Sequence, residues 1–199
     1  MPRPKTATPP ETLTLERLPT PFGPILVAAD PEGRLCAVEF WNDEAEMRRL
    51  IAHHHGAAKV EFGAVAAPIR EAFARYFAGD REALEAVPLN SGGTEFQQQV
   101  WKALTTIPVG ETWSYAQLAA AIGRPTAVRA VGLANGANPI PIAVPCHRVI
   151  GANGSLTGFG GGLDRKRWLL RHEGAAFDDT ARAHETRAVT RRLERRPAA

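Results

Sequence analysis

From Leu13 to Phe40, apolar and polar residues alternate in short runs, TLTLERL, PFGPILVAAD and PEGRLCAVEF, separated by turn-forming residues. A period of two belongs to strands, so this stretch predicts strands with a hairpin turn at Asp30-Pro31-Glu32-Gly33. In LCAVEF, alternation puts Leu35, Ala37 and Glu39 on one face and Cys36, Val38 and Phe40 on the other, which makes Cys36 a buried structural thiol. Helical spacing takes over in 43–55 and 65–78, where Val65, Ile69, Phe73, Tyr76 and Phe77 form one apolar stripe that reads as core.

The segment VPLNSGG (87–93) marks a boundary. Beyond it, Thr94 with Gln97 forms a capping-box pattern that opens FQQQVWKAL, stopped by Pro108 and Gly110. Ser114 with Gln117 repeats the pattern before AQLAAAIG, and Gly123-Arg124-Pro125 breaks that helix. Thr126 is placed to cap a third helix, AVRAVGLANGAN. Two short helices across a tight glycine-containing turn give a helix-turn-helix signature. The third helix carries Ala127, Ala130, Gly132, Ala134, Gly136 and Ala137, with Arg129 its one long cation. Small residues let a backbone enter a minor groove about 6 Å wide, and equally let helices pack closely in a core; both readings stand at this point. The chain thus divides into a disordered lead 1–10, an α/β domain 11–90, a mostly helical domain 91–177 and a basic tail 178–199.

Composition narrows the chemistry. Hydrophobic residues make 44% of the 199 and charged residues 23%, an ordinary globular balance. No apolar run approaches the roughly 20 residues of a membrane span, and the N-terminus lacks a signal pattern, so a cytoplasmic location with no membrane partner is expected. Of the net charge of +3, the segment 182–199 contributes +4 through six arginines against Glu185 and Glu194, leaving −1 for the rest. Mean charge therefore argues nothing about nucleic acid. The two cysteines, Cys36 and Cys146, cannot build a disulfide framework or a self-contained zinc site. His53-His54-His55 point in different directions on a helix and read as a polar helix end, so no metal is expected.

The stretch NPIPIAVPCHRVIG (138–151) places Cys146 directly before His147. A thiol becomes a strong nucleophile once deprotonated, and a neighbouring imidazole can take its proton directly or through one water. Glu173, in LLRHEG, is a candidate to orient that histidine. An isolated Cys-His pair also fits a structural role or a thiol hydrolase, so the surroundings decide.

PCHRV, preceded by RAVG and NP and followed by GFGGGL and a terminal EG, resembles the O6-alkylguanine-DNA alkyltransferase family (methylated-DNA–protein-cysteine methyltransferases). The similarity runs almost without gaps from Phe96 to Gly174, and PFGPILVAAD with GRLCAVEF resembles the family's more variable first domain, so about residues 11–177 are covered. The resemblance implies a ribonuclease-H-like α/β domain packed on a mostly helical helix-turn-helix domain. It also implies single-turnover transfer of an alkyl group from O6 of guanine, with O4-alkylthymine as a further candidate, to Cys146. Minor-groove binding and base flipping would precede the transfer.

In that scheme His147 is the base, Glu173 completes the charge-orienting chain, and Tyr115 contacts the lesion and helps protonate the departing guanine. Asn138 sits at the bend before the thiol loop. Arg129 fills the stack behind the flipped base, and Thr126, Ala127, Ala130, Gly132, Ala134 and Tyr115 lie at the DNA. Pro141, Val149, Phe159 and Gly160 line the substrate pocket. Phe159 departs from the tyrosine of many relatives, so a hydroxyl contact is lost there. The implied partner is double-stranded DNA bearing O6-alkylguanine, bound by a protein that is monomeric in solution and able to assemble cooperatively on DNA, with no cofactor. The rivals are a lesion sensor that binds without reacting, against which Cys146 itself argues, and the thiol hydrolase.

Overall fold

The computed structural model describes residues 12–179, so the lead 1–10 and nearly all of the basic tail lie outside the described residues. Strands β1 (Thr12–Leu18), β2 (Ile25–Ala29), β3 (Leu35–Glu39) and β4 (Lys59–Phe62) form a sheet of order β3-β2-β1-β4. Neighbours are antiparallel except β4, which runs parallel to β1. The expected hairpin turn closes with Gly33 N–H donating to the Asp30 carbonyl at 2.9 Å, Gly33 taking a φ of +76° that favours glycine. β4 escaped the sequence reading because KVEF is a mostly exposed edge strand whose partner lies over 40 residues earlier.

The strict alternation expected in β3 fails. Ala28 pairs with Ala37 but Ala29 pairs with Leu35, leaving Cys36 as the extra residue of a bulge. Leu35 therefore joins Val38 and Phe40 on one face, while Cys36 and Ala37 share the other. Cys36 is buried, as its reading required.

Helix α1 (Glu44–His55), N-capped by Asp43, lays Met47 and Ile51 on Leu13, Leu15, Leu26, Ala28, Cys36 and Ala37. Its histidine end is less polar than expected: His55 is buried, and His54 packs against Trp101 at 5.6 Å between ring centroids. Helix α2 (Ala67–Phe77) covers the opposite face with Ile69, Ala72, Phe73 and Tyr76.

The second half holds α3 (Glu95–Leu104), β5 (Trp113–Ser114), α4 (Tyr115–Ala121), α5 (Val128–Gly136), β6 (Val149–Ile150) and α6 (Leu163–Glu173). Both capping boxes form: Thr94 and Gln97 exchange bonds of 2.9 and 3.3 Å, Ser114 and Gln117 bonds of 2.7 and 3.2 Å. Thr126 does not cap α5. The cap is Ala127, whose N–H bonds the Arg124 carbonyl at 2.9 Å, so a backbone turn replaces the side-chain cap. Val100, Trp101, Leu104, Leu118, Val131, Ile140 and Leu169 from this half join Val27, Leu35, Phe73 and Tyr76 in one core, so the sheet lies between α1 and the helical half.

Candidate active site

Asn138, just past α5, folds the next six residues back on themselves. Its Oδ1 accepts from Ile140 N–H at 3.0 Å and its Nδ2 donates to the Val144 carbonyl at 2.8 Å. Within that loop Ile142 takes a φ of +77°, a conformation that a β-branched residue holds only under such restraint. The loop delivers Cys146 at the start of a single tight helical turn, Cys146–Arg148.

Cys146 is 6% exposed and borders a cavity of about 520 Å³. Burial pushes its thiol pKa up, against the opposing pull of the Asn138 hydrogen bond, the Lys166 charge and the amides of Cys146 and His147. The resting group is therefore a thiol, and it needs a base at the moment of reaction.

His147 is fully buried, and its Nε2 lies 3.0 Å from Oε1 of Glu173. Burial holds its pKa below the usual value despite the carboxylate beside it, so the ring is neutral and able to accept a proton. With Nε2–H directed at the carboxylate, the lone pair falls on Nδ1, which is buried without a hydrogen-bond partner among the described residues.

Glu173, the last residue of α6, is the hub. Oε1 also accepts from Tyr76 OH at 2.8 Å and Arg148 Nη2 at 3.0 Å, and Oε2 accepts from Arg148 Nε at 2.8 Å. Burial alone would raise this carboxyl, but the hydrogen bonds of His147 and Arg148, with the Arg148 charge, pull it well below the usual carboxylate range. Arg148 is tied further through Nη1 to the Ile107 carbonyl at 2.6 Å.

Lys166, also fully buried, donates to the carbonyls of Val149 (2.6 Å) and Thr157 (3.1 Å), and burial lowers its pKa to about 8. It fastens the thiol strand to the segment that leads into the glycine-rich loop.

The cavity wall carries Asn138, Pro141, Cys146, Phe159 and Gly160, five of the expected site residues. Gly161 must be glycine: a Cβ there would lie 2.6 Å from the Phe40 ring and 2.8 Å from Phe159. Val149 does not border the cavity; it is buried, pairs with Trp113, and gives its carbonyl to Lys166. Tyr115 reaches Thr157 across 3.0 Å between hydroxyls, and its ring lies 3.6 Å from where a Cβ of Gly132 would stand.

Helix α5 answers the question left by its small residues in both senses. Val131 and Ala134 are buried, and the Ala134 carbonyl accepts from Trp101 Nε1 at 2.8 Å, so Ala134 lies away from the open face. Thr126, Arg129 and Ala130 are exposed, and Ala127 and Gly132 are half-buried. Leu133, 76% exposed and one turn from Arg129, shares the open face, which sequence reasoning missed. It also missed Tyr76, Arg148, Lys166 and Trp41. Glu173 was read through the family pattern, whereas Lys166 gave no signal in a helix as basic as LDRKRWLLRHE.

A helix-turn-helix whose open face continues through a pinned loop into a cysteine–histidine–carboxylate centre defines a class, a nucleic-acid-binding fold with a reactive thiol. Residues 14–91 match the family model described as 6-O-methylguanine DNA methyltransferase, ribonuclease-like domain, and residues 95–175 match that family's DNA binding domain. The chain belongs to the 6-O-methylguanine DNA methyltransferase family. It is 48% identical over 161 residues to the methylated-DNA–protein-cysteine methyltransferase of Salmonella typhimurium, covering 80% of this chain and 94% of that protein. Among solved structures it resembles Mycobacterium tuberculosis OGT in complex with DNA, at 44% identity and a TM-score of 0.67 over 81% of this chain and 92% of that one. It also resembles the M. tuberculosis O6-methylguanine methyltransferase, at 43% identity and a TM-score of 0.68 over 82% and 93%. The family resemblance and the two-part architecture expected from the sequence are both borne out.

Proposed function

We propose that this protein is a direct-reversal DNA-repair alkyltransferase that moves an alkyl group from O6 of guanine in duplex DNA to Sγ of Cys146, once per molecule. The observation that carries the reading is the thiol's position, on the wall of a cavity roomy enough to admit a purine, with a neutral histidine and an ionised carboxylate behind it. The names of its relatives, methylated-DNA–protein-cysteine methyltransferases, support it.

The open face of α5 enters the minor groove, where Thr126, Ala127, Ala130 and Gly132 allow close approach without reading sequence, as repair of randomly placed damage requires. An O6 carbon is out of reach in a stacked base, so the nucleotide swings out and Arg129 fills the gap. The purine enters between Pro141, Phe159 and Gly160, a position where a side chain would project into open space. Val149 acts by holding the thiol turn from behind. His147 takes the thiol proton through one water, Glu173 stabilises the resulting imidazolium, and the thiolate attacks the alkyl carbon. The C–S bond forms as the C–O bond breaks, and its electron pair goes to guanine, whose ring nitrogen is reprotonated with help from Tyr115. The thioether resists hydrolysis, so the protein is consumed.

The same reading divides the chain into an α/β unit at 11–90, a DNA-binding unit at 91–177 and a basic tail. It makes the protein a cytoplasmic monomer that can assemble on DNA, with O4-alkylthymine as a further substrate. Titration with excess O6-methylguanine duplex tests it: restored guanine should stop at one equivalent per protein. Continued turnover would favour a hydrolase, and binding without restoration a sensor.

A further inference from the structure

We infer that Trp41, supplied by the first half of the chain, is a specificity-determining residue that favours flat, apolar substituents on O6. The inference rests on the alkyl-transfer reading above and deepens it. The cavity beside Cys146 is not walled by the helical half alone: Val38, Phe40, Trp41 and Leu50 line it from β3, the connection beyond it and α1. Its volume of about 520 Å³ falls among cavities that bury whole drug-sized ligands, more than a methylated base requires.

Trp41 is 60% exposed, yet it is fixed in place from several sides. Its N–H is accepted by the Glu39 carboxylate at 2.8 Å, and its indole Nε1 donates to the Gly160 carbonyl at 3.3 Å. The Arg165 guanidinium sits 4.0 Å from its ring centroid while donating to the Gly161 carbonyl at 2.9 Å. An exposed aromatic ring held rigidly on the rim of a reactive cavity supplies flat contact area at low entropic cost. Phe40 and Phe159, with centroids 5.4 Å apart, continue the same aromatic wall inward. A substituent that reaches past the thiol meets this wall; a methyl group does not.

The test uses two duplexes that differ only in carrying O6-methylguanine or O6-benzylguanine, with transfer rates to Cys146 measured for the wild type, Trp41→Ala and Trp41→Phe. The expected result is a benzyl-to-methyl rate ratio lowered about fivefold in Trp41→Ala and kept within about twofold of wild type in Trp41→Phe, which retains an aromatic ring. A ratio unchanged or raised in Trp41→Ala overturns the inference, whether both rates fall together or neither moves. An equal fall in both variants also overturns it, because the indole N–H on Gly160 would then be the active feature. The wild-type methyl rate reports separately on the underlying reading: with no methyl transfer at all, that reading fails and takes this inference with it.

Discussion

The sheet half and the helical half bury charge to different ends. In the sheet half, Asp30 accepts from Arg34 and Asn90, and Glu39 accepts the amides of Trp41 and Asp43 at 2.8 Å each. Both carboxylates fix the paths of turns. In the helical half, His147, Arg148, Lys166 and Glu173 gather around one thiol, and three of the four meet in a single network of short bonds. A buried charge that shapes a turn can lose its ionisation and still accept hydrogen bonds. One that balances other buried charges cannot. Tyr76, on α2, reaches from the sheet half to the Glu173 carboxylate, and Arg81 donates to the Glu173 main-chain carbonyl at 3.4 Å, so the site's preorganisation draws on both halves.

The contrast is broken most severely by paired substitutions. Glu173→Gln strands Arg148 without its counter-charge and should cost about 3 kcal/mol or more of stability. Glu39→Gln should cost less, about 1–2 kcal/mol, since the amide oxygen still accepts one of the two backbone N–H groups while the other loses its acceptor. Denaturant unfolding of both variants checks this, and equal costs would erase the distinction. Next in size, Arg129→Ala should slow repair of duplex DNA about tenfold more than reaction with free O6-alkylguanine base, because it acts on the stack and not on the chemistry. Parallel rate measurements on the two substrates decide it.

Tyr76→Phe should cost about 1 kcal/mol, and it should also shift the acid limb of the transfer rate to higher pH. With one donor gone from Oε1, more of the carboxylate's charge falls on His147, whose imidazole becomes easier to protonate. A pH–rate profile separates this from simple destabilisation, which would lower the rate without moving the limb.

Acid should weaken the fold in two stages. His147 has a lowered folded pKa, as do His54 and His55, so the unfolded chain takes up protons first and stability falls once pH drops below about 6.5, with His147 one of three contributors. Glu173 is also lowered, and its contribution starts to be lost below about 4.5. Each group contributes a slope of at most about 1.4 kcal/mol per pH unit, measurable as a drop in unfolding midpoint that His147→Gln should partly flatten, in the upper range only. The smallest effect is expected at Leu133. Its replacement by alanine removes an exposed apolar side chain from α5, the helix proposed to enter the groove, and should weaken duplex binding about twofold to threefold in a titration.

What could be read from the sequence follows the same division. Local rules gave α3 and α4 with their capping boxes, because a cap and its N3 partner lie three residues apart. The motif around Cys146 gave the thiol, the histidine, Asn138 and, through the family pattern, Glu173. Relations across the chain were lost. β4 needed β1 as its partner, and the Cys36 bulge appears only in the pairing with β2. Tyr76 looked like one more core residue until its hydroxyl was seen against a carboxylate 97 positions later. Helix α6 hid because LDRKRWLLRHE is so basic, although Lys166 and Arg167 are buried.

The final position of the alkyl group tests most directly whether Cys146 is the acceptor. The protein should be incubated with duplex O6-methylguanine, digested, and both cysteine-containing peptides weighed. The Cys146 peptide should gain about 14 Da, one methylene's worth, while the Cys36 peptide stays unchanged, its thiol pushed up to about 12 by burial. An unmodified Cys146 peptide, or a label on Cys36 instead, would contradict the account.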